Sequence, residues 1–105
     1  MARWEDLVRA EPDFAREVQA RFDKYRHKIL ATLRKDGSPR ITGIEAEFRD
    51  GDVWLGMMPN SLKANDLLRD PRIALHNATV IKDVTHGDAK IAGRALLVDD
   101  DTTFA

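Results

Sequence analysis

The sequence predicts a mainly β (α+β) domain, in which short antiparallel strands form a small barrel accompanied by a few helices. Three observations support this prediction. Beyond residue 26, most segments alternate apolar and polar side chains with a period of two, as half-buried strands do. Asp-Gly pairs at 36–37 and 50–51 mark tight turns between neighbouring segments. One short helical pattern, at 61–70, separates the third strand from the fourth.

The first 26 residues predict two helices that precede the barrel. Residues 3–10 form a short helical pattern that ends near Pro12, and Asp13 is the candidate N-cap of a second helix. We therefore divide the chain into a helical segment at 1–26 and a barrel domain at 27–105. The second helix carries an apolar stripe at three- and four-residue spacing, formed by Phe14, Val18, Phe22 and Tyr25.

Five strands are predicted for the barrel, at 27–34, 40–48, 53–58, 72–77 and 90–98. In the first strand, Ile29, Ala31 and Leu33 are expected to face the core, because they are apolar and share one face. The second strand alternates in the same way, and its core-facing set is Thr42, Ile44, Ala46 and Phe48.

The two remaining segments are less regular. Residues 79–88 are expected to form a loop, with a candidate short strand at 80–81. Residues 99–102 resemble the cap of a helix that the chain does not complete. This pattern suggests that a C-terminal part is missing or is supplied by a partner.

Composition and charge limit the function classes. The 105 residues have a net charge of −1 and no basic surface or aromatic platform, so nucleic-acid binding is not expected. The absence of cysteine excludes disulfides and thiolate metal sites. No metal site is expected from the histidines either, because His27, His76 and His86 match no metal-ligand spacing. No apolar run is long enough to cross a bilayer, so we expect a cytoplasmic protein with no membrane partner.

Candidate acid–base residues are few. Glu45 and Glu47 share one strand face and are expected to be solvated. No nucleophile lies beside a base in a recognisable arrangement. The catalytic residue is therefore left unassigned.

The start of the helix at 61–70 is a candidate anion site. Ser61 is a good N-cap, and Lys63 in the first turn is unfavourable beside the positive end of a helix dipole unless an anion lies in front of it. Backbone N–H groups, a hydroxyl and an ammonium together suit a phosphate. The alternative is a solvated lysine beside an ordinary cap. Of the apolar residues in this helix, Leu62, Leu67 and Leu68 are expected to face a core.

Two glycines within predicted strands are candidates for close approach by a flat ring. Gly43 and Gly56 each remove a side chain where a strand normally keeps one. The alternative for Gly43 is a bulge or a packing requirement. Met57 and Met58 could cover a ring face, or they could fill the core as methionines often do.

These motifs, in this order, resemble the pyridoxamine 5′-phosphate oxidase-like family of flavin-binding split β-barrels. The resemblance covers about residues 27–101. It is carried by the segments at 40–44 (RITGI), 53–57 (VWLGM), 61–63 (SLK), 70–72 (DPR) and 91–99 (IAGRALLVD).

The resemblance implies a homodimer with FMN in a cleft between the two barrels, and a small-molecule substrate. It also implies which residues contact the cofactor. The flavin would be lined by Arg40, Ile41, Thr42 and Gly43, its isoalloxazine or ribityl part would contact Gly56 and Met57, and its 5′-phosphate would be held by Ser61 and Lys63.

The sequence also departs from the family pattern. Leu62 stands where the oxidases tend to carry an arginine between the serine and the lysine, and Glu45 stands where they carry a lysine. The segment that binds pyridoxal phosphate in the oxidases is not found, so oxidation of vitamin B6 is not expected. We therefore expect an FMN-binding oxidoreductase that transfers hydride to another small molecule. The alternatives are an F420-dependent reductase of the same fold, and a split barrel that binds flavin or haem without turnover.

Overall fold

The computed structural model describes residues 2–79 and 87–98. The candidate strand at 80–81 and the candidate cap at 99–102 lie outside the described residues. The helices are α1 (Trp4–Ala10), α2 (Pro12–Asp23) and α3 (Leu62–Arg69). The strands are β1 (His27–Leu33), β2 (Pro39–Arg49), β3 (Asp52–Gly56), β4 (Arg72–His76) and β5 (Lys90–Arg94).

The five strands form one curled antiparallel sheet in the order β3-β2-β1-β4-β5, which confirms the predicted fold class. The Asp-Gly turns lie between β1 and β2 and between β2 and β3, as expected. In both turns the glycine has a positive φ, +87° at Gly37 and +79° at Gly51, which glycine adopts without steric cost. The long strand β2 pairs with both β1 and β3, so it connects the centre of the sheet to one edge.

The core lies on the inner face of the sheet, under α2. Phe22 of α2 is fully buried against Leu30, Ile44 and Leu75 from three strands. This confirms the inward position of Phe22, but Phe14 from the same predicted stripe is exposed. The second helix begins two residues earlier than predicted, because Glu11 rather than Asp13 is the N-cap and Pro12 occupies the first turn, where a proline loses no helical hydrogen bond.

The prediction for the buried face of β1 was wrong. Ile29 is 39% exposed, whereas Lys28, Leu30 and Thr32 point inward and are buried. The Lys28 ammonium donates hydrogen bonds to the carbonyl oxygens of Tyr25 (2.6 Å) and Arg26 (3.0 Å), while burial lowers its pKa. A long aliphatic stem can cross the core if its charged end reaches acceptors.

Two strands end at least two residues earlier than predicted. Strand β3 ends at Gly56, which forms the last pair of its ladder with Glu45. Strand β5 ends at Arg94 rather than at residue 98, because its partner β4 begins at Arg72, the residue that pairs with Arg94. The apolar residues that follow in the chain, Leu96, Leu97 and Val98, are exposed. No helix in the described part of the chain is long and apolar enough to span a bilayer.

Candidate functional site

Helix α3 starts at the cap that the sequence predicts. Ser61 has an extended backbone, and its hydroxyl oxygen accepts a hydrogen bond from the N–H of Ala64 at 3.2 Å. The first turn carries no acidic residue. The positive end of the helix dipole is therefore not neutralised within its own turn.

Lys63 places its ammonium at the edge of strand β2. The ammonium donates a hydrogen bond to the carbonyl oxygen of Gly43 at 2.7 Å. An ammonium has three donors, so this bond leaves two for other acceptors. The side chain is thus held beside β2 and does not extend into open water, although it remains accessible.

Gly43 is not explained by packing within the described chain. A Cβ built there would meet only the carbonyl oxygen of Lys28, at 4.0 Å, which is ordinary contact. Gly43 also pairs with Ile29 in regular register, so no bulge is present at this point. A Cβ at Gly56 would meet nothing within 4 Å among the described residues. Both glycines therefore leave backbone accessible where the fold itself would tolerate a side chain.

Thr42 carries the one buried side-chain oxygen or nitrogen that finds no hydrogen-bond partner among the described residues. It lies on β2 directly before Gly43. An unpaired buried hydroxyl costs about 1–3 kcal/mol, so such groups are rare unless something pairs with them. A hydrogen-bonding group of a bound molecule would remove this cost.

Arg40 does not stand free at the end of β2. Its Nε donates to the Oδ2 atom of Asp66 at 2.7 Å, and its side chain is 19% exposed while that of Asp66 is 3% exposed. Asp66 also accepts hydrogen bonds from the Thr32 hydroxyl (2.8 Å) and from Nη2 of Arg69 (2.9 Å). The Arg40 hydrogen bond, with help from those of Thr32 and Arg69, lowers the pKa of Asp66 to about 2.

Asp66 was missed by the sequence analysis. The apolar residues Leu62 and Leu68, which were expected to face a core, are 65% and 68% exposed. The inward side of α3 carries Asp66 instead, three residues after Lys63 and on the same side of the helix. The signal that could have found it is this spacing, because the two residues face β2 together.

The other predicted site residues lie on or next to the sheet. Ile41 is on the outer face of β2 and is 71% exposed. Gly56 lies at the end of β3, opposite Glu45. Met57 packs partly against the core, as in the alternative interpretation, whereas Met58 is exposed. The structure thus brings together Arg40, Thr42 and Gly43 of β2 with Lys63 of α3 and its N-cap Ser61. It leaves Gly56 and Met57 at the end of the neighbouring strand β3.

The outer face of the sheet is apolar at its centre. Directly paired residues point to the same side of a sheet. The pairs Ile41–Ala31, Ala31–Ala74 and Ala74–Ala92 therefore form one row of small and apolar side chains across four strands. We call these four residues the outer row. Ile29 and Gly43 lie beside it, so the outer row and the open backbone of β2 belong to one surface.

Histidine and carboxylate side chains do not gather into a metal site in the part of the chain that the structure describes, since no group of three or more is close enough to hold an ion. Glu45 lies on the outer face, where its carboxylate accepts a hydrogen bond from Arg26 Nε at 2.7 Å. The side chain of Glu45 is 52% exposed, as expected for a solvated face.

Comparison with known proteins agrees with the resemblance drawn from the motifs. The family model described as pyridoxamine 5′-phosphate oxidase matches residues 14–105. No curated protein matches the sequence of the chain.

Solved structures with the same fold come from several bacteria. A conserved hypothetical protein from Mycobacterium tuberculosis has 29% identity and a TM-score of 0.71, over 89% of this chain and 56% of that one. A Clostridium acetobutylicum protein related to general stress protein 26, of the pyridoxinephosphate oxidase family, has 15% identity and a TM-score of 0.65, over 94% and 64%. The haem storage protein HutZ from Vibrio cholerae has 16% identity and a TM-score of 0.65, over 87% and 64%. This chain therefore spans less than two thirds of the length of each.

Proposed function

Because the chain belongs to the pyridoxamine 5′-phosphate oxidase family of split-barrel proteins, we propose that it binds FMN where α3 meets β2 and acts as an oxidoreductase. The substrate would be a small molecule that exchanges a hydride with the flavin. The observation that carries the proposal is the position of Lys63. Its ammonium is fixed at 2.7 Å from the Gly43 carbonyl oxygen, at the start of a helix whose first turn lacks an acid.

The residues present fit a phosphorylated flavin. Lys63 and the N–H groups of the first turn of α3 would neutralise the phosphate. The unpaired hydroxyl of Thr42 would gain a hydrogen-bond partner, and the bare backbone at Gly43 would allow a flat ring to approach. When bound, FMN supplies the hydride chemistry, and the protein binds and orients it. No side chain of the described residues is assigned here as proton donor.

A homodimer is part of the proposal. The outer row is apolar, and three of its four residues are exposed in the single chain, with Ile41 71% exposed. A second copy is the occupant that the family resemblance implies. The substitution Ala74→Glu places a charge at the centre of the row. We expect it to convert a dimer to a monomer in sedimentation velocity, whereas Ala20→Glu on the exposed side of α2 should leave the dimer intact. A wild-type monomer at micromolar concentration would contradict this part of the proposal.

Cofactor titration tests the main proposal. FMN and F420 are added separately to the purified protein, and binding is followed by flavin or deazaflavin fluorescence. We expect Lys63→Ala to weaken FMN binding about tenfold, the effect of losing one hydrogen bond from a charged donor. The matched control is Lys35→Ala, which removes an exposed lysine from the β1–β2 turn. Preference for F420 would support the deazaflavin alternative, and failure to bind either cofactor would remove both.

A haem-binding barrel is the second candidate, and one histidine favours it. His76 lies on the outer face beside Ile29, and its Nδ1 is 2.7 Å from the carbonyl oxygen of Asn77. A carbonyl can only accept, so Nδ1 is the donor in this contact, and Nε2, which lies 3.8 Å from a carboxylate oxygen of Asp88, is the ring nitrogen left to face a metal. A Soret band after addition of haem, lost in His76→Ala, would support this candidate over the flavoprotein. No spectral change on adding haem would count against it.

A further inference from the structure

The cluster of Asp66, Arg40, Arg69 and Thr32 is a polar group built largely inside the protein. Asp66 is buried, and it receives three hydrogen bonds of 2.7–2.9 Å from the other three members. Arg69 Nη2 also donates to the carbonyl oxygen of Leu33 at 3.0 Å. The cluster therefore fixes α3 to both β1 and β2.

The charges in this cluster do not cancel. One carboxylate faces two guanidinium groups, so the cluster carries a net charge of about +1 at neutral pH, where arginine stays protonated. If Asp66 held Arg40 alone, the pair would be neutral and would attract an anion weakly. Arg69 adds a second positive charge, so the cluster as a whole attracts an anion.

The orientation of Arg40 is also set by the cluster. Nε is the atom that bonds to Asp66, and Nη1 and Nη2 of Arg40 make no hydrogen bond with the described residues. The guanidinium group is planar, so a contact through Nε fixes the direction of its two terminal nitrogens, which can then make a bidentate contact with an oxyanion.

The same two elements are joined a second time. Asp66 and Lys63 are three residues apart on α3, and their partners Arg40 and Gly43 are three residues apart on β2. The two contacts thus hold the same face of α3, the face that carries Lys63 and Asp66, against β2. A substitution in the cluster is therefore expected to shift the position of Lys63 relative to β2.

We propose that Asp66 and Arg69 are positioning residues, which hold Arg40 so that its terminal nitrogens and a net positive charge face the phosphate of the bound cofactor. This inference rests on the proposed function. It assigns to the buried carboxylate of Asp66 a role in anion binding, although Asp66 itself would not contact the anion.

The test compares FMN with riboflavin, which lacks the phosphate. We expect Arg69→Gln to reduce the preference for FMN over riboflavin at least about fivefold, because the cluster becomes neutral, while riboflavin affinity stays unchanged. The matched control is Arg16→Gln, since Arg16 also pairs with an aspartate three residues away on a helix, but at the exposed surface of α2. Equal loss of both flavins would mean a merely structural role and would overturn the inference.

The substitution Asp66→Asn separates orientation from charge. It raises the net charge of the cluster to about +2, so charge alone predicts tighter FMN binding, whereas loss of the ionic anchor for Arg40 predicts weaker binding. We expect weaker binding, and tighter binding would contradict the positioning role. Arg69 is partly exposed, so Arg69→Gln remains informative if Asp66→Asn does not fold.

The outcomes also separate this inference from the proposed function. A wild-type protein that prefers FMN, together with an Arg69→Gln variant that keeps this preference, overturns the inference and leaves the flavin site standing. A wild-type protein that binds neither flavin overturns both.

Discussion

Two arginine–aspartate pairs in this protein have the same N–O distance and different surroundings. Arg3 and Asp52 approach to 2.7 Å with side chains 51% and 37% exposed, and they tie the N-terminal segment to β3. Arg40 and Asp66 also approach to 2.7 Å, but their side chains are 19% and 3% exposed. Water competes strongly for the first pair and much less for the second, so equal geometry does not mean equal contribution to stability.

The largest expected difference between the two pairs is in stability. Asp66→Asn leaves Arg40 without its ionic partner in a buried setting, and we expect the free energy of unfolding to fall by about 3 kcal/mol. Asp52→Asn should change it little, because solvent replaces the lost contact. Urea denaturation of the two variants and the wild type measures both effects.

The comparison would fail if the two variants lost equal stability. In that case burial would not distinguish the pairs, and the Arg40–Asp66 contact would be an ordinary surface contact. A change in the urea m-value of either variant would point instead to a changed unfolded state.

The next effect is a dependence on pH. The pKa of Asp66 is about 2 in the folded protein, below its ordinary value of 3.8, so the ionised form is favoured by folding. The stability that Asp66 contributes is therefore complete above about pH 5 and is lost as the pH falls towards 2. We expect the stability difference between wild type and Asp66→Asn to shrink over this range.

Thermal unfolding at several pH values between 7 and 2 checks this expectation. The Asp52→Asn variant is the comparison. The Arg3 hydrogen bond also lowers the pKa of Asp52, but water screens this exposed pair, so the difference between wild type and Asp52→Asn should be smaller at neutral pH and should shrink in the same direction. A wild-type advantage over Asp66→Asn that persists at pH 2 would contradict the assigned cause.

The sequence predicted the parts of the fold that depend on local rules. Alternation identified all five strands, Asp-Gly pairs located two turns, and Ser61 was recognised as the cap of α3. These features require only the chemistry of neighbouring residues. The family resemblance then gave the split barrel as a whole.

The sequence did not predict which face of β1 is buried. Hydropathy favoured Ile29 over Lys28 and Thr32, yet the two polar residues point inward. Their partners are two carbonyl oxygens of the connection between α2 and β1 and a carboxylate on α3, which lies 34 positions along the chain from Thr32. A periodic pattern carries no information about such distant partners, so the site cluster was found only in the structure.

The smallest predicted effects come from two threonines that extend the comparison from ion pairs to hydroxyl groups. The Thr32 hydroxyl donates a hydrogen bond to Asp66. The Thr42 hydroxyl, on the adjacent strand, is buried without a partner among the described residues. Thr32→Val should lower the free energy of unfolding by about 2 kcal/mol, because a hydrogen bond to a charged group is lost. Thr42→Val should raise it by about 1 kcal/mol in the cofactor-free protein, since an unpaired polar group is removed.

Urea denaturation in the absence and presence of FMN measures both variants. If Thr42 contacts the cofactor, the gain of Thr42→Val in free protein should be reduced or reversed with FMN present, because the bound flavin loses a hydrogen-bond partner. A gain that is the same with and without FMN would remove Thr42 from the site and leave Lys63 and Arg40 to hold the cofactor. The two variants are expected to change stability in opposite directions because the described residues supply a hydrogen-bond partner for the Thr32 hydroxyl and none for the Thr42 hydroxyl.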